Sequence, residues 1–225
     1  MQTQTNETIE FNGWTMRYRS AETSHPRLLV MIHGLTGDEN SMWVFARRFS
    51  PNYWIIAPRA PHPANPQGFS WRANPLSIDE ARANQTNRPR LDALKEAAEG
   101  LIRLIDEYAA SVKVEAGIFD AIGFSQGAAM VNVLGMLYPN RVRKMGILAG
   151  FAPHGLDEYA SQKVLAGKQV FVAHGTQDDM VPIERARESM KLLEQAGASI
   201  TYCEDEVGHK LSSNCLRALE QYLTD

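Results

Sequence analysis

The apolar positions fall in short blocks that change period along the chain. Residues 8–19, TIEFNGWTMRYR, alternate around Asn12-Gly13 and predict two strands joined by a tight turn. Compact apolar runs follow at Arg27–Ile32, 53–57, 117–123, 144–149, 169–173 and 199–203, each too short for a helix and each followed by a turn. Between several of them the period becomes helical. Leu91, Leu94, Ala98, Leu101, Ile102 and Ile105 recur at three- and four-residue spacing, and residues 183–196 and 211–223 behave in the same way. Gly197 stands where a helix-ending glycine belongs.

Alternation of apolar strands with amphipathic helices predicts an α/β fold, with a mostly parallel sheet covered on both faces. Two early antiparallel strands and about six parallel ones make a sheet of about eight, within one domain spanning residues 1–225. The segment 58–90 stands apart. Six prolines in 33 residues argue against a regular element through most of it, while Phe69 and Trp71 argue that it docks on the fold. In open parallel sheets ligands sit at the carboxyl ends of the strands, so the residues following each strand are the ones to examine.

After the strand 117–123 comes Gly123-Phe124-Ser125-Gln126-Gly127, followed at once by AAMVNVLGML, which is apolar on nearly every face. A serine on a tight strand-to-helix turn is thrust outward, and flanking glycines let neighbouring backbone pass closely. Ser125 is therefore the candidate nucleophile; the competing reading is a helix start with serine as its cap. A serine hydroxyl needs a base within reach. His209, in Val207-Gly208-His209-Lys210 between the last strand and the last helix, fits that role better than His154 or His174. The acid should follow the strand 169–173, where Asp178 and Asp179 are adjacent. One would face His209 and the other would cap the helix beginning near Pro182-Ile183; Asp178 is preferred for the first role, and His174 is read as packed behind the site.

Attack on an ester carbonyl places charge on oxygen, which preset N–H donors stabilise. The backbone N–H of Gln126 is one candidate donor. The loop after the third strand, His33-Gly34-Leu35-Thr36-Gly37-Asp38, offers that of Leu35 as the second. Phe69, Trp71, Phe151 and Met180 occupy loops expected to ring the serine and are the candidate substrate pocket. Arg72, Arg82, Arg88 and Arg90 make the middle loop basic, which fits a solvated surface better than an anion site.

Composition narrows the function classes. A net charge of −3 lacks the basic footprint that nucleic acid asks for. The longest apolar runs, such as residues 28–32, fall far short of the roughly 20 residues of a membrane span. No secretory signal is visible in MQTQTNETIE, and two cysteines, Cys203 and Cys215, read as reduced thiols and a cytoplasmic address. The six histidines never fall at metal-ligand spacing, so no structural or catalytic zinc is expected. A homodimer is left open.

Taken in order, HGLTGDE (33–39), GFSQG (123–127), HGTQDDMVP (174–182) and Gly208-His209 resemble the carboxylesterase/phospholipase family of α/β-hydrolases, which includes acyl-protein thioesterases. The resemblance runs from about residue 27 to the C-terminus. It implies an α/β-hydrolase fold, a cofactor-free serine hydrolase acting on small-molecule esters or thioesters, Asp178 as the acid of H-G-x-x-D-x-x-V-P, and Leu35 and Gln126 as the oxyanion donors. Two departures concern substrate. The first loop is longer than the HGLGD of acyl-protein thioesterases, and 67–72, QGFSWR, resembles bacterial members instead. The reaction is therefore carried over and the lipidated-protein substrate is not. Residues 151–168 are too few for a multi-helix lid. The reading from another class is a ligand-binding receptor on a hydrolase scaffold, with slow or no turnover.

Overall fold

A computed structural model describes residues 6–83 and 88–224. In chain order the elements are β1 (Asn6–Phe11), β2 (Trp14–Arg19), β3 (Arg27–Ile32), α1 (Trp43–Ala46), β4 (Tyr53–Pro58), β5 (His62–Pro63), β6 (Phe69–Ser70), α2 (Ile78–Ala83) and α3 (Asp92–Val112), followed by β7 (Phe119–Phe124), α4 (Gln126–Leu137), β8 (Val142–Leu148), α5 (Asp157–Ser161), β9 (Gln169–Gly175), α6 (Ile183–Gln195), β10 (Ser199–Asp205) and α7 (Ser213–Thr224). Eight strands form one sheet in the order β1-β2-β4-β3-β7-β8-β9-β10. β2 pairs antiparallel with both β1 and β4, and every other pairing in this sheet is parallel. This is the α/β-hydrolase architecture, and β2 alone runs against the rest. Asn12 and Gly13 both take positive φ, 47° and 81°, as a two-residue hairpin turn requires.

The short apolar runs are strands because each is buried on two faces. Along β3, Leu28, Val30 and Ile32 enter the core beneath α3 and α4, while Leu29 and Met31 enter the second core beneath α1 and α7. Strand periodicity thus divides an unbroken hydrophobic run between two layers. α4 packs between α3 and the strands β7 and β8, so residues 126–136 are all buried. Among the described residues no helix is long and apolar enough to cross a membrane.

One expectation needs correction, and another gains detail. Most of the described part of 58–90 is irregular, as its prolines suggest, with three short elements set within it. β5 and β6 form a small antiparallel ribbon and α2 follows, the prolines lying where they remove no helical hydrogen bond. The ribbon docks on the loop after β3, with Phe69 N–H donating to Gly37 O (2.9 Å) and Thr36 N–H to Phe69 O (3.0 Å). The expectation corrected is that of reduced thiols: Cys203 and Cys215 are joined in a disulfide. β10 and α7 lie side by side after the intervening loop turns back, which brings the two Cα atoms to 5.6 Å. A count of two cysteines cannot reveal that approach.

Candidate active site

Ser125 occupies the junction between β7 and α4 with φ 54° and ψ −114°, a backbone region that side chains other than glycine rarely enter. The surrounding glycines make the turn feasible. A Cβ on Gly123 would lie 2.2 Å from Gly127 O, and one on Gly127 would lie 2.1 Å from Ile32 O. The turn is held by Ser125 N–H donating to Leu148 O (2.9 Å) and by Ser125 O accepting from Ala128 N–H (3.0 Å). The Ser125 side chain makes no capping hydrogen bond to α4, so the helix-start reading has no contact behind it.

The loops after β9 and β10 are stitched together by backbone. Thr176 N–H donates to Asp205 O (2.9 Å) and Gln177 N–H to Val207 O (3.1 Å). Gly175 permits the approach, since a Cβ there would meet Val207 O at 2.1 Å. The result is a 2.7 Å hydrogen bond between His209 Nδ1 and Asp178 Oδ2. An ionised carboxylate only accepts, so Nδ1 carries the proton and Nε2 keeps its lone pair. Asp178 Oδ1 accepts from Met180 N–H and Val181 N–H, both at 2.9 Å. Burial alone would raise the Asp178 pKa, but the bonds from His209, Val181 and Met180 together outweigh it and hold it below the usual carboxylate range. The Phe124 ring lies 4.9 Å from the imidazole.

His174 lies behind this pair, buried, with Nε2 2.8 Å from Val181 O, and burial pushes its pKa down. Asp179 takes a different position from the helix-capping one expected. Its side chain is 68% exposed and sits 3.6 Å from Arg82, while α6 begins at Ile183 after Pro182 with no side-chain cap. Adjacent side chains diverge, and Asp178 itself receives the amides that precede α6.

The loop after β3 is set by His33. Its Nε2 accepts from Ala60 N–H (3.0 Å), which leaves Nδ1 to donate to Gly34 O (2.7 Å). Gly37 N–H donates to the same oxygen at 3.1 Å. In a planar trans peptide the C=O and N–H point oppositely, so anchoring Gly34 O turns the Leu35 N–H the other way. Leu35, Gln126, Ser125 and His209 line one cavity. Burial pushes the His33 pKa down to about 4, so the imidazole is neutral at pH 7.

Trp71 and Phe69 do not line this cavity. Trp71 is fully buried beneath the loop, donating from Nε1 to His33 O (2.8 Å) and from its backbone N–H to Gln126 Oε1 (2.9 Å). Phe69 lies under the Arg59 guanidinium at 4.7 Å. Their loop does approach the serine, but the aromatic rings are spent on anchoring it. Phe151 and Met180 do line the cavity.

The phospholipase/carboxylesterase family model matches residues 16–225. The chain belongs to the phospholipase/carboxylesterase family. It is accordingly a carboxylesterase-type hydrolase. Among solved structures, the carboxylesterase of Mesorhizobium loti superposes with a TM-score of 0.80 at 21% identity, covering 97% of this chain and 98% of that one. The Bacillus cereus carboxylesterase gives 0.78 at 23%, covering 95% and 94%. By sequence, the chain is 25% identical over 228 residues to a probable inactive carboxylesterase of Oryza sativa subsp. japonica, covering 92% of this chain and 89% of that protein.

The cavity of this carboxylesterase-family hydrolase has a volume of about 830 Å³. Its walls are largely apolar, yet Arg72, Arg82, Arg185 and Lys210 also line it, against Asp179 as the one carboxylate among the described lining residues. Arg185 and Lys210 escaped the sequence reading, because nothing local marks an arginine in the first turn of an amphipathic helix as facing a cavity. Among the described residues no three His, Cys, Asp or Glu side chains converge as a metal site.

Proposed function

We propose that this hydrolase cleaves carboxylic esters, and thioesters by the same steps, through an acyl-enzyme on Ser125. His209 Nε2 takes the Oγ proton as Oγ attacks the carbonyl carbon. The tetrahedral oxyanion is stabilised by the Leu35 and Gln126 backbone N–H groups. As the intermediate collapses, His209 returns the proton to the departing alcohol or thiol. Water, deprotonated by the same imidazole, then attacks the acyl carbon and releases the acid. Asp178 holds His209 in the productive tautomer and stabilises the imidazolium that forms. The observation that carries this reading is the 2.7 Å bond from Asp178 to a His209 that lines one cavity with a serine in strained, positive-φ backbone. Phe151 and Met180 are the walls on which a small ester would pack.

A fluorophosphonate probe should label Ser125 and nothing in Ser125→Ala, since only an activated serine attacks phosphorus readily. Labelling that persists in the variant would move the nucleophile elsewhere. The alternative, a binding protein on a hydrolase scaffold, draws support from the rice relative's designation as inactive. Turnover of a short p-nitrophenyl ester separates the two. Every group invoked comes from one chain, so the homodimer left open by the sequence is not needed for chemistry. At net charge −3 no nucleic-acid partner is proposed. The cytoplasmic address loses the support it drew from the cysteines, because disulfides are rare in that compartment.

A further inference from the structure

Arg185 is hard to explain by stability. It lies in the first turn of α6, where a cation opposes the helix dipole, and only 8% of it is exposed. Its Nη2 is buried without a hydrogen-bond partner, and no carboxylate acts on its charge among the described residues. The Phe151 ring lies 5.6 Å from its Cζ, and the charge that acts on it is another cation, Arg88. Arg88 is itself paired with Glu188. A buried guanidinium left unpaired is strongly destabilising unless a partner arrives.

The partner position is the cavity. Arg185 lines it, and so does Arg72, on which burial acts but no carboxylate does among the described residues. Arg72 is placed by the same loop that Gln126 tethers. Ser70 Oγ donates to Arg72 O (3.0 Å), and Trp71 N–H donates to Gln126 Oε1. Arg82, by contrast, lies near Asp179. Two guanidiniums with no carboxylate partner among the described residues, one from the loop after β6 and one from α6, therefore line the same cavity as Ser125.

We infer that Arg185, assisted by Arg72, forms an anion subsite, and that the preferred substrates are esters carrying a second, free carboxylate, such as hemiesters of dicarboxylic acids. This deepens the esterase reading and rests on it. A guanidinium fork matches a carboxylate bidentately, and in a desolvated site that contact strengthens. The apolar remainder of the wall accommodates the methylene chain between the two carbonyl carbons.

The test compares kcat/KM for the methyl hemiesters of succinate, glutarate and adipate with that for neutral methyl alkanoates of the same length. At least one hemiester should be preferred by about tenfold or more, and Arg185→Gln should lower that preference by roughly 10- to 100-fold. Arg185→Lys should retain part of it, because the charge remains while the fork is lost. A preference near one in the wild type, or one unchanged in Arg185→Gln, overturns the inference. Should Arg185→Gln fail to fold, calorimetric titration with glutarate and with inorganic phosphate, in the wild type and in Arg72→Gln, reads the same subsite. Glutarate should bind and should weaken in Arg72→Gln. Absence of binding, binding indifferent to Arg72, or phosphate binding more tightly than glutarate would overturn it. If the wild type hydrolyses neither ester class, the esterase reading fails, and the glutarate titration still decides the subsite.

Discussion

Asp178 does two jobs that the sequence divides between two aspartates. One oxygen orients His209 and the other gathers the amides of Met180 and Val181. An asparagine at 178 can keep its oxygen on those amides, but its NH2 then faces His209 Nδ1. That drives the proton to Nε2, where it blocks base catalysis. Loss of the matching carboxylate in a comparable triad costs about 10⁴ in kcat. We therefore expect Asp178→Asn to lower kcat by at least about a hundredfold with the fold intact, and Asp179→Asn, at an exposed position, to stay within about tenfold. Steady-state kinetics with a p-nitrophenyl ester decides, and the reverse ranking would shift the acid by one residue. Asp178 was legible in the sequence through its place after a strand and in a family pattern. Arg185 was not, because its cost appears only once its surroundings are known.

At the scale of elements, the turn between β7 and α4 depends on backbone passing close to backbone. Gly127 lies against Ile32 O and His33 O at the foot of the loop after β3. A methyl group there must push α4 away from β3 or shift that loop, and overpacking of this kind costs about 1–3 kcal/mol. Gly117 precedes β7 in open space, and a methyl group at that position would meet nothing within 4 Å. Gly127→Ala should lose about 1–3 kcal/mol in urea denaturation, while Gly117→Ala should stay within about 0.5 kcal/mol. Equal losses would show that the close approach is not what requires glycine at 127. The G-x-S-x-G spacing announced this turn. The ribbon of β5 and β6 went unannounced, because strands of two residues leave no periodicity to read.

For the whole molecule, buried neutral histidines set a pH dependence of stability. Burial lowers the pKa of His33 to about 4 and moves that of His174 in the same direction. In the unfolded chain an imidazole titrates near about 6.5. Between those values the unfolded state binds protons that the folded state refuses, so stability is full above about pH 6.5 and falls as pH drops toward about 4. For His33 the gap from about 6.5 to about 4 corresponds to roughly 3 kcal/mol. Asp178, held below its ordinary value, adds a further loss only below about pH 4. Urea midpoints at pH 7, 5.5 and 4.5 should fall in that order, and a flat series would contradict the buried neutral state.

Local order alone determined a good deal. Apolar runs bounded by turns specify strands, three- and four-residue spacing specifies helices, and their alternation specifies a parallel sheet with its loops at one edge. Ser125, Asp178 and His209 could be picked out because each follows a strand at that edge, and a parallel sheet brings such positions together whatever the loops contain. Tertiary structure decided everything that depends on which way a side chain turns. Trp71 is buried under the loop after β3 instead of lining the cavity, His33 anchors a carbonyl, Cys203 meets Cys215, and Arg185 lines the cavity with no acceptor on its buried Nη2 among the described residues. These placements are set by irregular loops, where no repeating geometry carries a residue's direction from one position to the next.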